Sequence, residues 1–388
     1  MKVTSDFECG NGKNIQQVAP GHWRLEEVGE KAPYCKYFCV RAEAGDDGGP
    51  VRLDVYPDPL LGDEGRLGML HHYPAPLWFC EGDLDHWLPV AHRWPGADRY
   101  GLDCVSTQVV VPPGAALFVA SNVVLPYSRL VAWTAAMAER GALVDSLGQS
   151  QEGRTIPRLR LPCTGRGRPL TVFALSGQHP SEHCGPLAAC GIAEFLASSH
   201  PEARGIRERC DTWLVPMINP DGNVHGRNGW TAADVNPCSD FAGASDGAPP
   251  KAVEDQLLWQ WVSQDLRPDL LLNFHGYLGT RGFADPPCDG CYVLEKPEDV
   301  YASPERLNAY RAIRDTLFWD TPGLSARSRP GTLSADMLEY HLARACGTLV
   351  PFYEINHAFH GVQAARRKGA DVFRAVARTL LALPVPPR

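Results

Sequence analysis

The sequence lacks an excess of positive charge, since its 388 residues include 37 Lys and Arg against 45 Asp and Glu, a formal net charge of -8. Binding to nucleic acid depends on a basic surface that neutralises phosphates, so nucleic acid is excluded as the main partner. The sequence also lacks any run of about 18 apolar residues, the length that a membrane-spanning helix needs. We therefore expect a soluble protein with no membrane partner, whose substrate is a peptide or a small molecule.

Recognisable cofactor motifs are missing as well, because the sequence contains neither a P-loop nor a dinucleotide-binding fingerprint. Residues 1–18 contain no apolar segment of signal-peptide length. We therefore expect a cytoplasmic protein whose 13 cysteines are mostly reduced. Cys288 and Cys291 have the spacing of a redox pair or of half a structural zinc site, but no second matching pair accompanies them, and their role stays open.

The chain divides into two parts by its pattern of apolar residues. Short β-rich runs broken by Gly and Pro fill residues 1–125, which predicts an antiparallel β-sandwich. A helical pattern follows Pro126 and extends to Leu143, and strands then alternate with helices. We therefore predict an α/β fold class, with a smaller sandwich domain (1–125) before a mixed-sheet catalytic domain (126–388). The predicted strands are 170–176, 212–218, 269–275 and 347–355, and the predicted helices are about 186–198, 254–265, 304–319 and 362–382.

A candidate metal site follows the first of these strands. His179 and Glu182 lie on the loop that leaves it with two residues between them, so both can face one ion, and a His with a carboxylate suits zinc. His275 ends another apolar strand and supplies a third ligand. Two His and one Glu leave a fourth position open for water, as in catalytic zinc sites. The sequence therefore predicts a hydrolase with one Zn²⁺.

Polar residues also follow the other two strands, where ligands bind in open α/β sheets. Glu354 follows an apolar strand and is our candidate general base and acid, although a Glu in an ordinary ion pair would look the same in sequence. Arg227 comes shortly after the turn Asn219-Pro-Asp-Gly222 and is a candidate partner for the oxyanion.

These residues together resemble the zinc metallocarboxypeptidase family, and specifically its cytosolic carboxypeptidase-like subfamily. The motifs that carry the resemblance are His179-Pro-Ser-Glu182, Asn219-Pro-Asp-Gly222, Arg227 with Asp234-Val-Asn236, His275-Gly-Tyr277, and Glu354. The resemblance implies that His179, Glu182 and His275 bind zinc, that Glu354 and Arg227 are catalytic, and that Asn236 and Tyr277 contact the substrate. Each motif alone is weak, but their order along the chain makes the set specific.

The sequence departs from the family pattern at one position. Where the family has an Arg directly after the Asn, forming a clamp for the terminal carboxylate, this chain has Pro237. No neutral residue replaces the bidentate hydrogen bonds of a guanidinium. Either another cation takes this place, with Arg281, Arg327 and Arg329 as candidates, or the substrate has no free C-terminus.

Three functions remain open on this sequence. The first is carboxypeptidase-like hydrolysis of a peptide bond, and the second is an amidase or deacylase that uses the same zinc site on a small molecule or a capped peptide. The third is an inactive binding protein, against which the retention of all candidate ligands and of Glu354 argues. The oligomeric state is not predicted.

Overall fold

The computed structural model describes residues 1–30, 37–61, 77–82, 84–90, 92–97, 103–277, 289–319, 331–356 and 360–383. In its first part, residues 1–125, the described residues form strands and one short 3-10 turn. These strands are β1 (Lys2–Thr4), β2 (Lys13–Ala19), β3 (His22–Glu26), β4 (Cys39–Glu43), β5 (Gly49–Tyr56), β6 (Trp78–Glu81), β7 (Trp87–Pro89), β8 (His92–Ala97), β9 (Asp103–Val111) and β10 (Ala116–Ala120).

The strands of the first part form two five-stranded sheets, in the orders β1-β4-β10-β6-β7 and β2-β3-β5-β9-β8. Their pairings are antiparallel except for β3 with β5, which is parallel. A separate apolar cluster, with Leu25, Leu53 and Leu117 among its members, fills the first part. The predicted antiparallel sheet domain is therefore confirmed, with one parallel pair that the sequence did not indicate. The predicted boundary at residue 125 stays a prediction.

Helices and strands alternate in the second part. The strands are β11 (Leu143–Gln149), β12 (Thr155–Leu161), β13 (Leu170–Ser176), β14 (Cys210–Val215), β15 (Leu270–Tyr277), β16 (Gly290–Val293), β17 (Gly331–Thr332) and β18 (Phe352–Asn356). The α-helices are α1 (Tyr127–Glu139), α2 (Cys184–Leu196), α3 (Pro201–Arg207), α4 (Pro220–Val224), α5 (Val253–Gln260), α6 (Pro304–Trp319), α7 (Leu338–Cys346) and α8 (Val362–Ala382), and a π-helical turn, Trp261–Leu266, continues α5.

One part of the helix predicted after Pro126 is wrong. The helix ends at Glu139, and Leu143 lies instead on β11, which pairs with β12 as a hairpin. Gly141 has a φ of 91°, a left-handed backbone that ends the helix before Leu143. Leu143 matches the helical spacing of the apolar residues before it only by coincidence, because the helix has already ended at Glu139.

The second part contains a mixed eight-stranded sheet in the order β11-β12-β14-β13-β15-β18-β16-β17. Its four central strands, β14, β13, β15 and β18, run parallel to one another. Strand β13 is apolar and buried along almost its whole length, as expected for a strand covered on both faces. Because parallel strands end at the same edge, the polar residues that follow them are brought together.

Helix α2 starts just after the candidate metal loop and is buried on nearly all sides. It lies unusually close to α8, since a Cβ placed on Gly191 would collide with the backbone of Arg366, and one placed on Gly369 with the backbone of Ala188. Glycine permits this close approach of two helices. The packing fixes the start of α2, and with it the loop that contains Glu182. Among the residues described, no helix is long and apolar enough to cross a membrane.

The first part also contacts the metal loop directly. The side chain of Asn122 donates to the carbonyl of Ser181 (2.7 Å), and the backbone N–H of Leu125 donates to Nδ1 of His183 (3.2 Å). Ser181 and His183 are the residues on either side of Glu182. The β part therefore helps to hold this candidate ligand in place.

A buried ion cluster holds the strand that contains Glu354. Asp289 accepts a hydrogen bond from the Tyr353 hydroxyl (2.9 Å) and another from the backbone of Asn356 (2.9 Å), and Nζ of Lys368 lies 2.9 Å from it. Asp289 and Lys368 are both buried. The cluster thus joins β18 to α8 on either side of Glu354.

Replacing Lys368 with Met should destabilise the fold by about 3–5 kcal/mol, because Asp289 would keep its charge in a buried site without this cation. Burial alone would raise the pKa of Asp289, but the hydrogen bond from His360 and the charge of Lys368 lower it below its ordinary value. The stability that this carboxylate contributes is therefore complete above pH about 3.9 and is lost as the pH falls further. Urea unfolding measures the loss.

The matched control is Arg367→Met, which removes an exposed cation from the same helix. It should change the free energy of unfolding by less than about 0.5 kcal/mol. Equal effects of the two substitutions would contradict the role given to the buried pair.

Candidate functional site

The three predicted metal ligands meet at one point in the structure. Nδ1 of His179 lies 2.9 Å from one carboxylate oxygen of Glu182, and Nδ1 of His275 lies 2.9 Å from the other. All three side chains are buried. The two imidazole rings are 5.0 Å apart between centroids and nearly perpendicular. The structure therefore brings together residues from two strand ends that are far apart in sequence.

The partners of the Nε2 atoms of the two rings indicate what the Nδ1 atoms can bind. Nε2 of His275 is 2.9 Å from the side-chain oxygen of Gln178 and 3.3 Å from Nδ2 of Asn273, and Nε2 of His179 is 3.1 Å from the side-chain oxygen of Asn236. In the tautomer that donates from Nε2 to these oxygens, each Nδ1 keeps a lone pair. The two Nδ1 lone pairs then face the carboxylate of Glu182, and a cation placed among them satisfies all three. The residues present thus fit a zinc ion.

A chain of amides and a carboxyl supports this arrangement from behind. Nδ2 of Asn273 donates to Oε1 of Gln178 (2.8 Å) and to Oε1 of Glu339 (2.6 Å). Burial raises the pKa of Glu339 to about 7, although the hydrogen bond from Asn273 opposes the shift. The sequence analysis missed Gln178, Asn273 and Glu339. A signal for Asn273 was present, because it lies two residues before His275 and thus on the same face of an otherwise apolar strand.

Glu354 lies beside His275, its register partner across the parallel strands β15 and β18. The ring of Phe352 stacks on His275 at 4.4 Å between centroids. Phe352 and Glu354 are two residues apart on β18, so their side chains leave the same face of the sheet. Glu354 is buried and close to the candidate metal ligands, as a general base must be.

The described contacts of Arg227 are with residues other than the proposed metal ligands. Its Nε donates to Glu30 (2.7 Å), its guanidinium donates to the carbonyl of Thr231 (2.7 Å), and it also pairs with Asp234. Glu30 in addition accepts from the backbone of Gly229 (2.8 Å). The β part therefore anchors the loop that contains Arg227, an interaction that the sequence did not reveal. The role of Arg227 toward the oxyanion stays a prediction.

The loop after Asn236 also reaches the metal ligands. Oδ1 of Asn236, which lies beside Nε2 of His179, also accepts the backbone N–H of Cys238 (3.0 Å). The side-chain amide of Gln178 donates to the carbonyl of Pro237 (2.8 Å). One ligand atom each of His179, Cys238 and His275 lie within 4.8 Å of one another, a group that can hold a metal ion. Burial, and then the carboxylates nearby, Glu339 first, raise the pKa of the Cys238 thiol well above its usual range. The sequence analysis missed Cys238.

Some predicted residues are outside the part of the chain that the structure describes. Arg281, Arg327 and Arg329, the candidates for a replacement clamp, lie there, and so does Cys288. The backbone of Tyr277 is described as the end of β15, but its side chain is not. Cys291 is buried. The substrate-binding roles of Asn236 and Tyr277 therefore stay predictions.

Comparisons with known proteins find zinc carboxypeptidases among the relatives of this chain. Residues 130–237 match the model of the zinc carboxypeptidase family. The chain is 34% identical over 182 residues to an inactive metallocarboxypeptidase, ECM14, of Ajellomyces capsulatus, covering 45% of this chain and 28% of that protein. It is 28% identical over 169 residues to human cytosolic carboxypeptidase 1, covering 43% of this chain and 13% of that protein. The chain thus spans less than a third of the length of either relative.

Solved structures show the same fold along the whole chain. A metallo-carboxypeptidase from Burkholderia cenocepacia superimposes with a TM-score of 0.80 at 18% identity, covering 98% of both chains. One from Pseudomonas aeruginosa, in complex with (2-guanidinoethylmercapto)succinic acid, superimposes with a TM-score of 0.78 at 20% identity, covering 97% of this chain and 98% of that one. The resemblance to zinc metallocarboxypeptidases, cytosolic ones included, is therefore confirmed, and so is the predicted fold class.

Proposed function

We propose that this chain is a zinc-dependent, carboxypeptidase-like hydrolase of an amide bond, with one Zn²⁺ bound by His179, Glu182 and His275. The observation that carries the proposal is the pair of imidazole Nδ1 atoms, each 2.9 Å from a different oxygen of one buried carboxylate. When bound, zinc makes a water molecule a better nucleophile and polarises the scissile carbonyl. The cytoplasm stays the proposed compartment, and the similarity to a cytosolic carboxypeptidase supports it.

The chain's own residues would handle the protons and the developing charge. Glu354 takes a proton from the attacking water and passes it to the leaving amine, and its position beside His275 supports this role. Arg227 is the proposed partner of the oxyanion. Because Glu30 and Asp234 now hold its guanidinium, Arg227 has to exchange one of these contacts when substrate binds.

A second candidate is an amidase or deacylase that acts on a small molecule or a capped peptide. The observation that favours it is Pro237, a buried residue with no charge at the place of the clamp Arg, whose carbonyl is held by Gln178. Without a cation there, a free terminal carboxylate has no bidentate partner from this position. An inactive binding protein is the third candidate, and the name of the Ajellomyces relative favours it. The retained ligands and Glu354 argue against it.

Replacing Pro237 with Arg should improve cleavage of peptides with a free C-terminus at least about tenfold, because a charge-assisted pair with the carboxylate is worth about 1.5–3 kcal/mol. The measurement compares kcat/KM for matched peptides that end in a free acid or an amide, with products identified by mass spectrometry. Wild type should prefer the amide or show no preference, whereas the variant should prefer the acid.

Pro237→Met is the matched control, since it adds a long side chain without charge and should leave the preference as it is. If wild type already prefers the free acid and Arg at this position adds nothing, recognition of the carboxylate comes from another residue. If neither peptide is cleaved with zinc present, the proposed hydrolase activity is wrong for these substrates.

A further inference from the structure

Glu30, the residue of the β part that contacts Arg227, has donors on both of its carboxylate oxygens. Oε1 accepts hydrogen bonds from Nε of Arg227 (2.7 Å) and from the backbone N–H of Asn228 (3.2 Å), and Oε2 accepts one from the backbone N–H of Gly229 (2.8 Å). The side chain of Glu30 is only 8% exposed. Charge-assisted hydrogen bonds of this kind fix the donor as well as the acceptor. Glu30 therefore holds both the guanidinium of Arg227 and the backbone that follows it.

Further contacts join the β part to the loop that contains Arg227. The side-chain amide of Asn11 donates to the carbonyl of Gly226 (2.8 Å) and to that of Val28 (3.1 Å), and thus connects the two segments. Gly226 has a φ of 61°, and a Cβ placed on it would collide with the carbonyl oxygen of Gly10. Glycine permits this backbone conformation and this close approach. The β part is therefore closely fitted to the residue directly before Arg227.

The same loop is joined to the metal loop on its other side. The hydroxyl of Ser181 donates to the carbonyl of Asn228 (2.6 Å). Ser181 directly precedes the proposed ligand Glu182, and Asn228 directly follows Arg227. Asn228 thus contacts the metal loop through its carbonyl and Glu30 through its N–H. The backbone at Arg227 is in this way held between Glu30 and the proposed metal site.

The two carboxylates that hold Arg227 differ in burial. The side chain of Glu30 is 8% exposed, whereas that of Asp234 is 73% exposed. An exposed ion pair is weak because water competes for both charges, but a pair with a buried carboxylate is costly to break. A cavity of about 400 Å³, with Arg227, Glu30, Trp230 and Asp234 among its lining residues, leaves the guanidinium room to turn. Asp234 is therefore the contact that Arg227 can exchange, and Glu30 is the contact that it keeps.

We propose that Glu30 is a positioning residue for hydrolysis, which acts through Arg227 by holding its guanidinium in place for the oxyanion. The inference rests on the proposed function, in which Arg227 is the partner of the oxyanion. Release of Asp234 makes Nη2 of Arg227 available, while Glu30 keeps Nε and fixes the direction of the guanidinium. The β part then contributes a residue on which the site depends.

Glu30→Gln tests the inference on the full-length, zinc-loaded protein, with the better cleaved of the matched acid and amide peptides as the substrate. We expect kcat to fall about 10–100-fold, the effect of misplacing a group that stabilises charge, with KM changed less than about twofold and zinc retained. Glu30→Asp keeps the charge and should recover part of the loss, and it is the second variant should the Gln form fold poorly. Glu26→Gln is the matched control, because Glu26 lies on β3 in the same part of the chain and its carboxylate contacts Asn14 at the surface. It should leave kcat unchanged.

A double-mutant cycle with Arg227→Met separates positioning from a purely structural role. Arg227→Met alone should lower kcat about 10²–10³-fold, and adding Glu30→Gln to it should change kcat by less than about twofold, because Glu30 then has no guanidinium to hold. Equal losses from Glu30→Gln in both backgrounds, no loss in wild type, or faster turnover would overturn the inference and leave the proposed hydrolase standing. Full activity of Arg227→Met would refute the oxyanion role of Arg227, and the inference with it. No cleavage of either peptide by the zinc-loaded wild type would instead refute the proposed function itself.

Discussion

The Glu354→Gln variant is expected to retain its zinc and to hydrolyse substrate about 10²–10⁴-fold more slowly than wild type, the usual contribution of a positioned general base. Gln has nearly the same shape as Glu but cannot accept the proton of the attacking water. The side chain is buried next to His275 across two parallel strands, so an isosteric change should leave the packing intact. Single-turnover rates and zinc content, measured on the same sample, test both parts.

Glu295→Gln is the matched control, because Glu295 is exposed, and it should leave turnover and zinc content unchanged. Full activity in Glu354→Gln would show that another group is the base. Loss of zinc in this variant would show that Glu354 is a ligand, and the division of roles between it and Glu182 would then be wrong.

The His275→Ala variant is expected to lose both zinc and hydrolysis. The substitution removes one of three proposed ligands, namely the imidazole that faces one oxygen of the Glu182 carboxylate. It also removes a ring that stacks on Phe352, so the free energy of unfolding should fall by about 1–3 kcal/mol as well. Zinc content after dialysis should drop from about one equivalent per chain to a small fraction.

His275→Phe separates metal loss from packing, since Phe keeps a ring that can stack on Phe352 but has no nitrogen to bind zinc. His200→Ala is a control at an exposed His that caps α3 and is not one of the proposed ligands, and it should retain zinc. Circular dichroism should show folded protein in all three variants. Retention of a full equivalent of zinc by the folded His275→Ala protein would place the metal elsewhere.

Much of the second part of the chain could be predicted from sequence because its central strands are buried on both faces. Strand β13 has the predicted bounds, and the helices predicted at 304–319 and 362–382 begin and end where the structure has them. The last strand was predicted too long, because Pro351 precedes its start at Phe352 and only Leu349 forms an isolated bridge before it. His275 and Glu354 were predicted because each lies at the end of an apolar strand.

The residues that surround the ligands could not be predicted in the same way. Gln178 contacts His275 and Asn273, which are about a hundred positions away in sequence. The periodicity of neighbouring residues cannot predict such a contact. Glu30 reaches Arg227 from the β part through the three-dimensional packing of two segments. Cys238 was not predicted, although it directly follows Pro237, the position where the family has its Arg.

Anomalous X-ray diffraction from crystals of the zinc-loaded protein, collected at energies above and below the zinc edge, tests the central claim most directly. The account predicts one anomalous peak per chain, located between Nδ1 of His179, Nδ1 of His275 and the carboxylate of Glu182, at about 2.0–2.2 Å from each. A zinc-loaded crystal with no peak there, or with its peak at another group of residues, would contradict it.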